Sequence, residues 1–467
     1  MTETIAIPWW LMVVLVLLAL PTLIGQLLIP LWLRVWNRWS KRAFKDINPH
    51  LQLKLSPFTL TRYKALAARL ATDPKLLEAA GKIAEQRGET LEDQREKLQR
   101  IALEIVPAFN PLFYFRVGYK LARSVLRGFY RVWIGFADKQ SLESVSSDDS
   151  VIFMSNHRSN IDYLLITYLT SQRTMLSFGV GEWSGIFPIR QLMRSAGGYF
   201  IRRDSTDPLY RQALARYVQM ATEARVPHAI FPEGALSPDG AVHPARFGLL
   251  SYITRYFNPA TSPDLVIIPI STNYDRVAED SNMLKHDSAE FREKGKLFVI
   301  WSGIKFGSRA LFEVILQRRS FGYACANFGK PVSFKSWLKQ EKVDWIKLDR
   351  SQRFEVLSRF GNQLMADIES LIPVTPVAVL AHVLMTTSEN GLDKNQLLKE
   401  FQACIQTAKQ NNAFVVLPRN NEQEALEQSL ELTLLRGLVD HDGQRYRPAS
   451  DKKALLSYYA KSIEHYL

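Results

Sequence analysis

His157 and Asp162 are the two residues whose types and spacing most readily do chemistry. An alcohol has a very high pKa and attacks a carbonyl carbon poorly. A neutral imidazole within hydrogen-bond reach takes up the proton as the new bond forms, an effect of ~10²–10⁴-fold in rate. A carboxylate on the far ring nitrogen fixes the tautomer and steadies the imidazolium that results. Four intervening residues permit that pairing if the histidine precedes a helix and turns back over its first turn. The spacing alone is weak evidence, since a histidine near an aspartate is more often structural.

The flanking sequence predicts the elements that would hold such a pair. Val-Ile-Phe-Met (151–154) is a short apolar run of the kind that makes a buried strand. Ser155 and Asn156 break it, and Ile161, Leu164, Leu165 and Tyr168 then recur at helical spacing. His157 therefore stands where a strand hands over to a helix, at the sheet edge where open α/β folds place their sites. Residues 265–270 and 297–302 read as further strands, and Phe328-Gly329-Lys330-Pro331 as a turn before Val332-Ser333-Phe334. Strands alternating with helices over 150–335 predict an α/β layer.

At the N-terminus, Ile7 to Leu33 carries no charge and is rich in Trp, Leu, Val and Ile. About 20 apolar residues span a hydrocarbon core, so this stretch is long enough. Trp9, Trp10, Trp32 and Trp36 lie near its ends, and Arg34, Arg38, Lys41, Arg42 and Lys45 follow. The positive-inside rule then places the rest of the chain in the cytoplasm, behind a single-pass membrane anchor. Pro21, Gly25 and Pro30 leave a kinked span or a re-entrant hairpin open. Residues 56–139 read as helical, with a start at Thr90-Leu91-Glu92-Asp93. Within them, Phe109 to Trp133 interleaves aromatic groups with cations, which suits a membrane-interface helix or one packed on the core. Asp349 to Leu371 is an amphipathic helix by its apolar spacing, and 373–467 is helical with a small hairpin near Asp440–Gln444.

The expected fold is thus α/β: a mixed sheet flanked by helices, with an N-terminal membrane anchor (1–36), a helical N-terminal region (37–140), an α/β domain (141–340) and a helical C-terminal domain (341–467). A hydrophobic content of 47% with 22% charged residues is that of a folded chain. The net charge of +13 suits an anionic membrane face or a phosphate-bearing substrate. No helix-turn-helix or zinc-finger spacing supports nucleic acid. The two cysteines, Cys325 and Cys404, do not make a disulfide framework, and no Cys/His cluster has metal-ligand spacing.

Four blocks occur in order: Ser-Asn-His-Arg-Ser-Asn-Ile-Asp-Tyr-Leu-Leu (155–165), Gly-Gly-Tyr-Phe-Ile-Arg-Arg (197–203), Phe-Pro-Glu-Gly (231–234) and Ile-Ile-Pro-Ile-Ser-Thr-Asn-Tyr-Asp-Arg-Val (267–277). Together they resemble the four motifs of the glycerolipid acyltransferase superfamily, most nearly its membrane-bound glycerol-3-phosphate and dihydroxyacetone-phosphate acyltransferase branch. Thr-Pro-Val-Ala-Val-Leu-Ala (375–381) resembles an element of that branch's C-terminal extension. The resemblance covers roughly residues 95–467.

What the resemblance implies is an O-acyltransferase of phospholipid biosynthesis. His157 and Asp162 match the catalytic dyad. Arg158 in the first block, Gly198, Arg202 and Arg203 in the second, Glu233 and Gly234 in the third, and Pro269 in the fourth match substrate-binding positions. The implied donor is acyl-CoA or an acyl carrier protein thioester, the implied acceptor a small polyol phosphate, with membrane lipids as surroundings and no cofactor or metal. Guanidinium groups at Arg202 and Arg203 suit a phosphate through their forked donors. One departure stands out. Family members carry arginines after Glu-Gly, where this chain has Leu236 and Pro238. Each lost contact to a charged group is worth about 1.5–3 kcal/mol, and Arg246 is placed to compensate in part. A different acceptor with the same mechanism, such as a lysophospholipid or another alcohol, and a non-catalytic lipid-binding scaffold are the alternatives.

Overall fold

The computed structural model describes residues 56–111, 113–171, 174–181, 189–202, 205–280, 321–387 and 390–467. The expected N-terminal anchor and the strand expected at 297–302 lie outside these residues. Among the described residues, no helix is long and apolar enough to cross a membrane.

In chain order, helices α1 (Tyr63–Ala71), α2 (Pro74–Arg87) and α3 (Leu91–Ile105) precede a π-helical turn at Phe113–Gly118, helix α4 (Tyr119–Phe129) and strand β1 (Arg131–Phe136). There follow α5 (Lys139–Glu143), β2 (Ser150–Ser155), α6 (Ile161–Thr170), β3 (Ser177–Val180), α7 (Ile189–Ser195), β4 (Gly198–Phe200), α8 (Pro208–Glu223) and β5 (His228–Ile230). Next are α9 (Gly248–Thr254), β6 (Leu265–Tyr274), β7 (Tyr323–Phe328), β8 (Val332–Ser333) and α10 (Phe334–Gln340). The C-terminal part holds α11 (Arg350–Glu369), α12 (Pro376–Thr386), α13 (Lys394–Gln410), α14 (Glu422–Leu435), the hairpin β9 (Val439–His441) and β10 (Tyr446–Pro448), and α15 (Lys453–Lys461).

The chain forms two units that interleave along the sequence. The first takes residues up to Gly118 and Arg173–Tyr217. It contains α1 to α3 and the parallel pair β3–β4, in register Phe178 to Gly198 and Val180 to Phe200. Helix α3 starts on a reciprocal capping box between Thr90 and Asp93, as the sequence predicts.

The second unit, Tyr119–Gln172 and Val218–Leu467, carries the sheet order β1-β7-β6-β2-β5, with β8 on β6. β1–β7, β6–β2 and β2–β5 are parallel; β7 and β8 run antiparallel to β6. The sheet is therefore mixed, as expected. β2 and all ten residues of β6 are buried along their whole length, which explains why Val-Ile-Phe-Met and Leu-Val-Ile-Ile read as continuous apolar runs. β1 corrects the helical reading of residues 56–139. Its Val132, Trp133 and Ile134 are β-branched or aromatic and pair with Ala324, Cys325 and Ala326 of β7, and a long-range partner outweighs local helical spacing. In the C-terminal part, Asp349 and Asp393 cap α11 and α13 with capping boxes, and the predicted hairpin forms as β9–β10.

Candidate active site

β2 ends at Ser155, and residues 156–160 form the loop that leads into α6. Asn156 ties this loop to β6: its Oδ1 accepts from the Thr272 amide at 2.8 Å and its Nδ2 donates to the Thr272 carbonyl at 3.0 Å. His157 follows, buried, with its Nδ1 3.0 Å from Oδ2 of Asp162 in the first turn of α6. The same Oδ2 accepts from the amides of Arg158 (2.7 Å) and Ser159 (2.9 Å). Oδ1 accepts from the hydroxyls of Thr272 (3.1 Å) and Tyr274 (2.5 Å). A group that only accepts is thus surrounded by donors. With Nδ1–H directed at Asp162, Nε2 is the basic nitrogen, and it has no hydrogen-bond partner among the described residues. Phe231 and Tyr163 wall the imidazole, with ring centroids 4.4 and 5.5 Å away.

Glu233 fastens the loop from below. Its Oε1 accepts from the His157 amide (2.9 Å) and its Oε2 from the His243 amide (3.1 Å). Burial raises the Glu233 carboxyl above its ordinary range, against the pull of those two amides and of Arg158. Gly234 takes φ +73°, and a Cβ there would meet Cδ of Arg246 at 3.3 Å, so the arginine stem lies over the glycine while its residue stays exposed. Leu236 and Pro238 flank Ser237, whose amide donates to the His157 carbonyl at 2.8 Å. Next in this loop, Asp239 accepts from His243 (2.7 Å) and from Lys461 of α15 (3.1 Å). Although burial opposes it, these donors hold the Asp239 carboxyl down at about 2.

Arg158 is turned inward and is 1% exposed. It donates to the Gly240 carbonyl, lies 5.6 Å from the Tyr458 ring centre, and leaves Nη1 without a partner among the described residues. Pro269 is buried in β6 opposite Met154, with its carbonyl taken by the Gly329 amide at 2.8 Å. Gly198 and Arg202 belong to the first unit, while the dyad belongs to the second. Gly198 is buried in β4, where a Cβ would meet Val180 at 2.7 Å. The Arg202 guanidinium pairs with Glu104, Nε to Oε1 at 2.7 Å, beside the Tyr210 ring. Arg203 lies outside the described residues.

Sequence reasoning missed the partners of Asp162. Thr272 and Tyr274 are two apart on β6, so they face the same side. Polar residues closing an apolar strand were the available signal. It also missed the part played by the C-terminal region. Tyr459 and Arg436 both bind Asp280, just after the fourth block, and Tyr458 backs Arg158.

A histidine–carboxylate pair at the carboxyl end of a sheet strand, with an imidazole nitrogen free of described partners, is an arrangement able to act as a general base. An acyltransferase family model matches residues 137–273, and a model of the glycerol-3-phosphate acyltransferase C-terminal region matches 309–467. Each model covers less than half of the chain, and together they support a likeness to the glycerolipid acyltransferase superfamily, in its glycerol-3-phosphate acyltransferase branch. Relatives include glycerol-3-phosphate acyltransferases of Pseudomonas entomophila (25% identical, 70% of this chain and 40% of that one) and Pseudomonas syringae (23% identical, 92% and 51%). The chain thus spans about half or less of the length of these curated relatives. A solved 1-acyl-sn-glycerophosphate acyltransferase of Thermotoga maritima aligns at TM-score 0.28 and 16% identity, over 61% of this chain and 91% of that chain.

Proposed function

We propose that the chain transfers a fatty acyl group from an acyl thioester to a hydroxyl of a glycerol-phosphate-type acceptor, the first acylation of phospholipid synthesis. The observation that carries this reading is the His157–Asp162 contact of 3.0 Å beside a basic Nε2 free of described partners. In the reaction, Nε2 takes the acceptor hydroxyl proton as that oxygen bonds to the thioester carbonyl carbon. Asp162 steadies the imidazolium. The tetrahedral intermediate collapses, the C–S bond breaks, and the departing thiolate takes the proton back from His157. An ester and a free thiol result, and the base is regenerated. Acyl-CoA and acyl carrier protein both supply the thioester. No cofactor or metal is needed for these steps.

The resemblance assigns Gly198, Arg202 and Arg203 of the second block, and Arg246 after the third, to the acceptor phosphate. The residues 7–33 act as the tether to the cytoplasmic face of a membrane, so that the lipid product partitions straight into the bilayer. A second reading has the same mechanism with a non-phosphorylated acceptor. It is favoured by Leu236 and Pro238 at usually basic positions and by the Glu104 carboxylate already on Arg202.

The test is acyl transfer by the detergent-purified chain from labelled acyl-CoA and acyl carrier protein to glycerol 3-phosphate, with His157→Ala as control. Product that disappears in the mutant supports the reading. Slow His157-dependent thioester hydrolysis with no glycerol 3-phosphate product would shift the assignment to another acceptor. Inactivity of folded protein with every acceptor would leave the scaffold alternative.

A further inference from the structure

In and just after the loop that carries His157, the amides from His157 to Ile161 all have acceptors. The His157 amide donates to Glu233, those of Arg158 and Ser159 to Asp162, and that of Asn160 to Glu279 at 3.2 Å. The Ile161 amide donates to Ser159 Oγ at 3.1 Å, and Ser159 Oγ in turn donates to Glu279 at 2.6 Å. Carboxylates from three separate segments thus hold four consecutive amides. Two of them, Asp162 and Glu233, lie in blocks already discussed. Glu279 lies beyond the fourth block, 119 residues along the chain from Asn160. It grips the loop on the side that becomes the first turn of α6.

We propose that Glu279 is a positioning residue for acyl transfer: it sets the Ser159–Asn160 turn, and through it the angle at which Asp162 meets His157. The inference rests on the acyl-transfer reading above. Its physical ground is that a helix start leaves amides unpaired. Asn160 precedes α6 without a side-chain cap of its own, so a carboxylate from another segment takes the place of the cap. Burial raises the Glu279 carboxyl, and the neighbouring Asp162 charge raises it further, against the hydrogen bonds of Ser159 and Asn160. A corollary is that amides 157–160 are all engaged. None is free to receive the developing oxyanion, which must find donors elsewhere.

The experiment compares Glu279→Ala, Glu279→Gln, Ser159→Ala and the double variant Ser159→Ala/Glu279→Gln in the full chain. Misplacing a catalytic group by about 1 Å can cost ~10²-fold in rate. Glu279→Ala should therefore lower kcat by about 10- to 100-fold, with KM for donor and acceptor within about twofold. Glu279→Gln keeps one carbonyl oxygen for the Asn160 amide and should restore most of that loss. Ser159→Ala removes one of the two contacts that Glu279 makes and should lower kcat, and the double variant Ser159→Ala/Glu279→Gln should fall below either single variant. An unchanged kcat in Glu279→Ala would overturn the proposal; where that variant fails to fold, a double variant with the kcat of wild type would overturn it instead. Loss of activity that tracks only the fraction of folded protein would do the same. If the wild type shows no His157-dependent transfer, the acyl-transfer reading itself fails; His157-dependent transfer indifferent to Glu279 sinks only this inference.

Discussion

The phenol of Tyr274, at the end of β6, lies 2.5 Å from Oδ1 of Asp162, at the start of α6. The two are 112 residues apart in the chain, and the hydroxyl is fully buried. Burial and the adjacent Asp162 charge both push the phenol well above its ordinary pKa, so it stays a donor. Removing it by Tyr274→Phe takes away one hydrogen bond to a buried charged group, about 1.5–3 kcal/mol. The expected outcome is a kcat about tenfold or more lower with little change in KM, read by steady-state kinetics. An unchanged kcat would remove Tyr274 from the catalytic network.

Asp162→Asn should be milder than the analogous change in a serine protease, where the tautomer is lost and the rate falls ~10⁴-fold. Here the fixed amides of Arg158 and Ser159 demand an acceptor at Oδ2. The hydroxyls of Thr272 and Tyr274 at Oδ1 can rotate to accept from an amide nitrogen. The asparagine carbonyl therefore takes the Oδ2 place and still receives Nδ1–H. We expect a loss nearer ~10²-fold, from weaker support of the imidazolium alone. A fall of ~10⁴-fold would mean that the tautomer flips after all.

Gly240 adopts φ +91°, and a Cβ on it would fall 1.9 Å from the carbonyl oxygen of Tyr458. Gly240→Ala meets both strain and backbone collision. Strain of the left-handed kind costs of order 1–3 kcal/mol by itself, and the collision adds to it. The denaturation midpoint should drop, and activity should drop with it because Arg158 donates to the Gly240 carbonyl. A midpoint equal to wild type would show that α15 moves aside freely.

Asp275 gives a pH prediction. Burial raises its carboxyl from 3.8 to about 6, against hydrogen bonds from the Val377 and Tyr323 amides. Between pH 4 and 6 the folded state therefore holds a proton that the unfolded chain has released. Stability falls as pH rises through that window, by of order 3 kcal/mol for this group. Unfolding titrations across pH 4–6 should lose this slope in Asp275→Asn, whatever the variant's absolute stability. A slope that survives unchanged would assign the effect to other carboxyls.

Sequence made the inner parts of the second unit legible because their signals are local. Val-Ile-Phe-Met, the break at Ser155-Asn156 and the spacing from Ile161 to Tyr168 gave β2, the loop and α6 nearly to the residue. Thr90 and Asp349 stand where the sequence places helix starts, whereas the cap at Asp393 was not singled out within the helical reading of 373–467. The hairpin after Val439 was visible in its turn residues. β1 was not, because it is set by pairing with β7, nearly 200 residues on. Nor was the placement of Arg158: a cation beside a candidate general base reads as a substrate ligand, and the fold encloses it between Gly240 and Tyr458. The loop at Leu236 and Pro238 likewise looked like a damaged binding motif. Its surroundings show what the neighbouring residues do: Ser237, between them, holds the His157 carbonyl, and Asp239, just after them, reaches Lys461.

The end of β6 has successive residues facing opposite ways. Thr272 and Tyr274 turn to Asp162. Ser271 turns to the Ile368 carbonyl at the end of α11, and Asn273 to the Pro373 carbonyl and to Ser462 after α15. Four neighbouring side chains are therefore shared between the His157–Asp162 pair and the C-terminal helices. The segment that carries the motifs is not a portable module. Excising it, or grafting another C-terminal region onto it, would reset the aspartate's environment along with the graft.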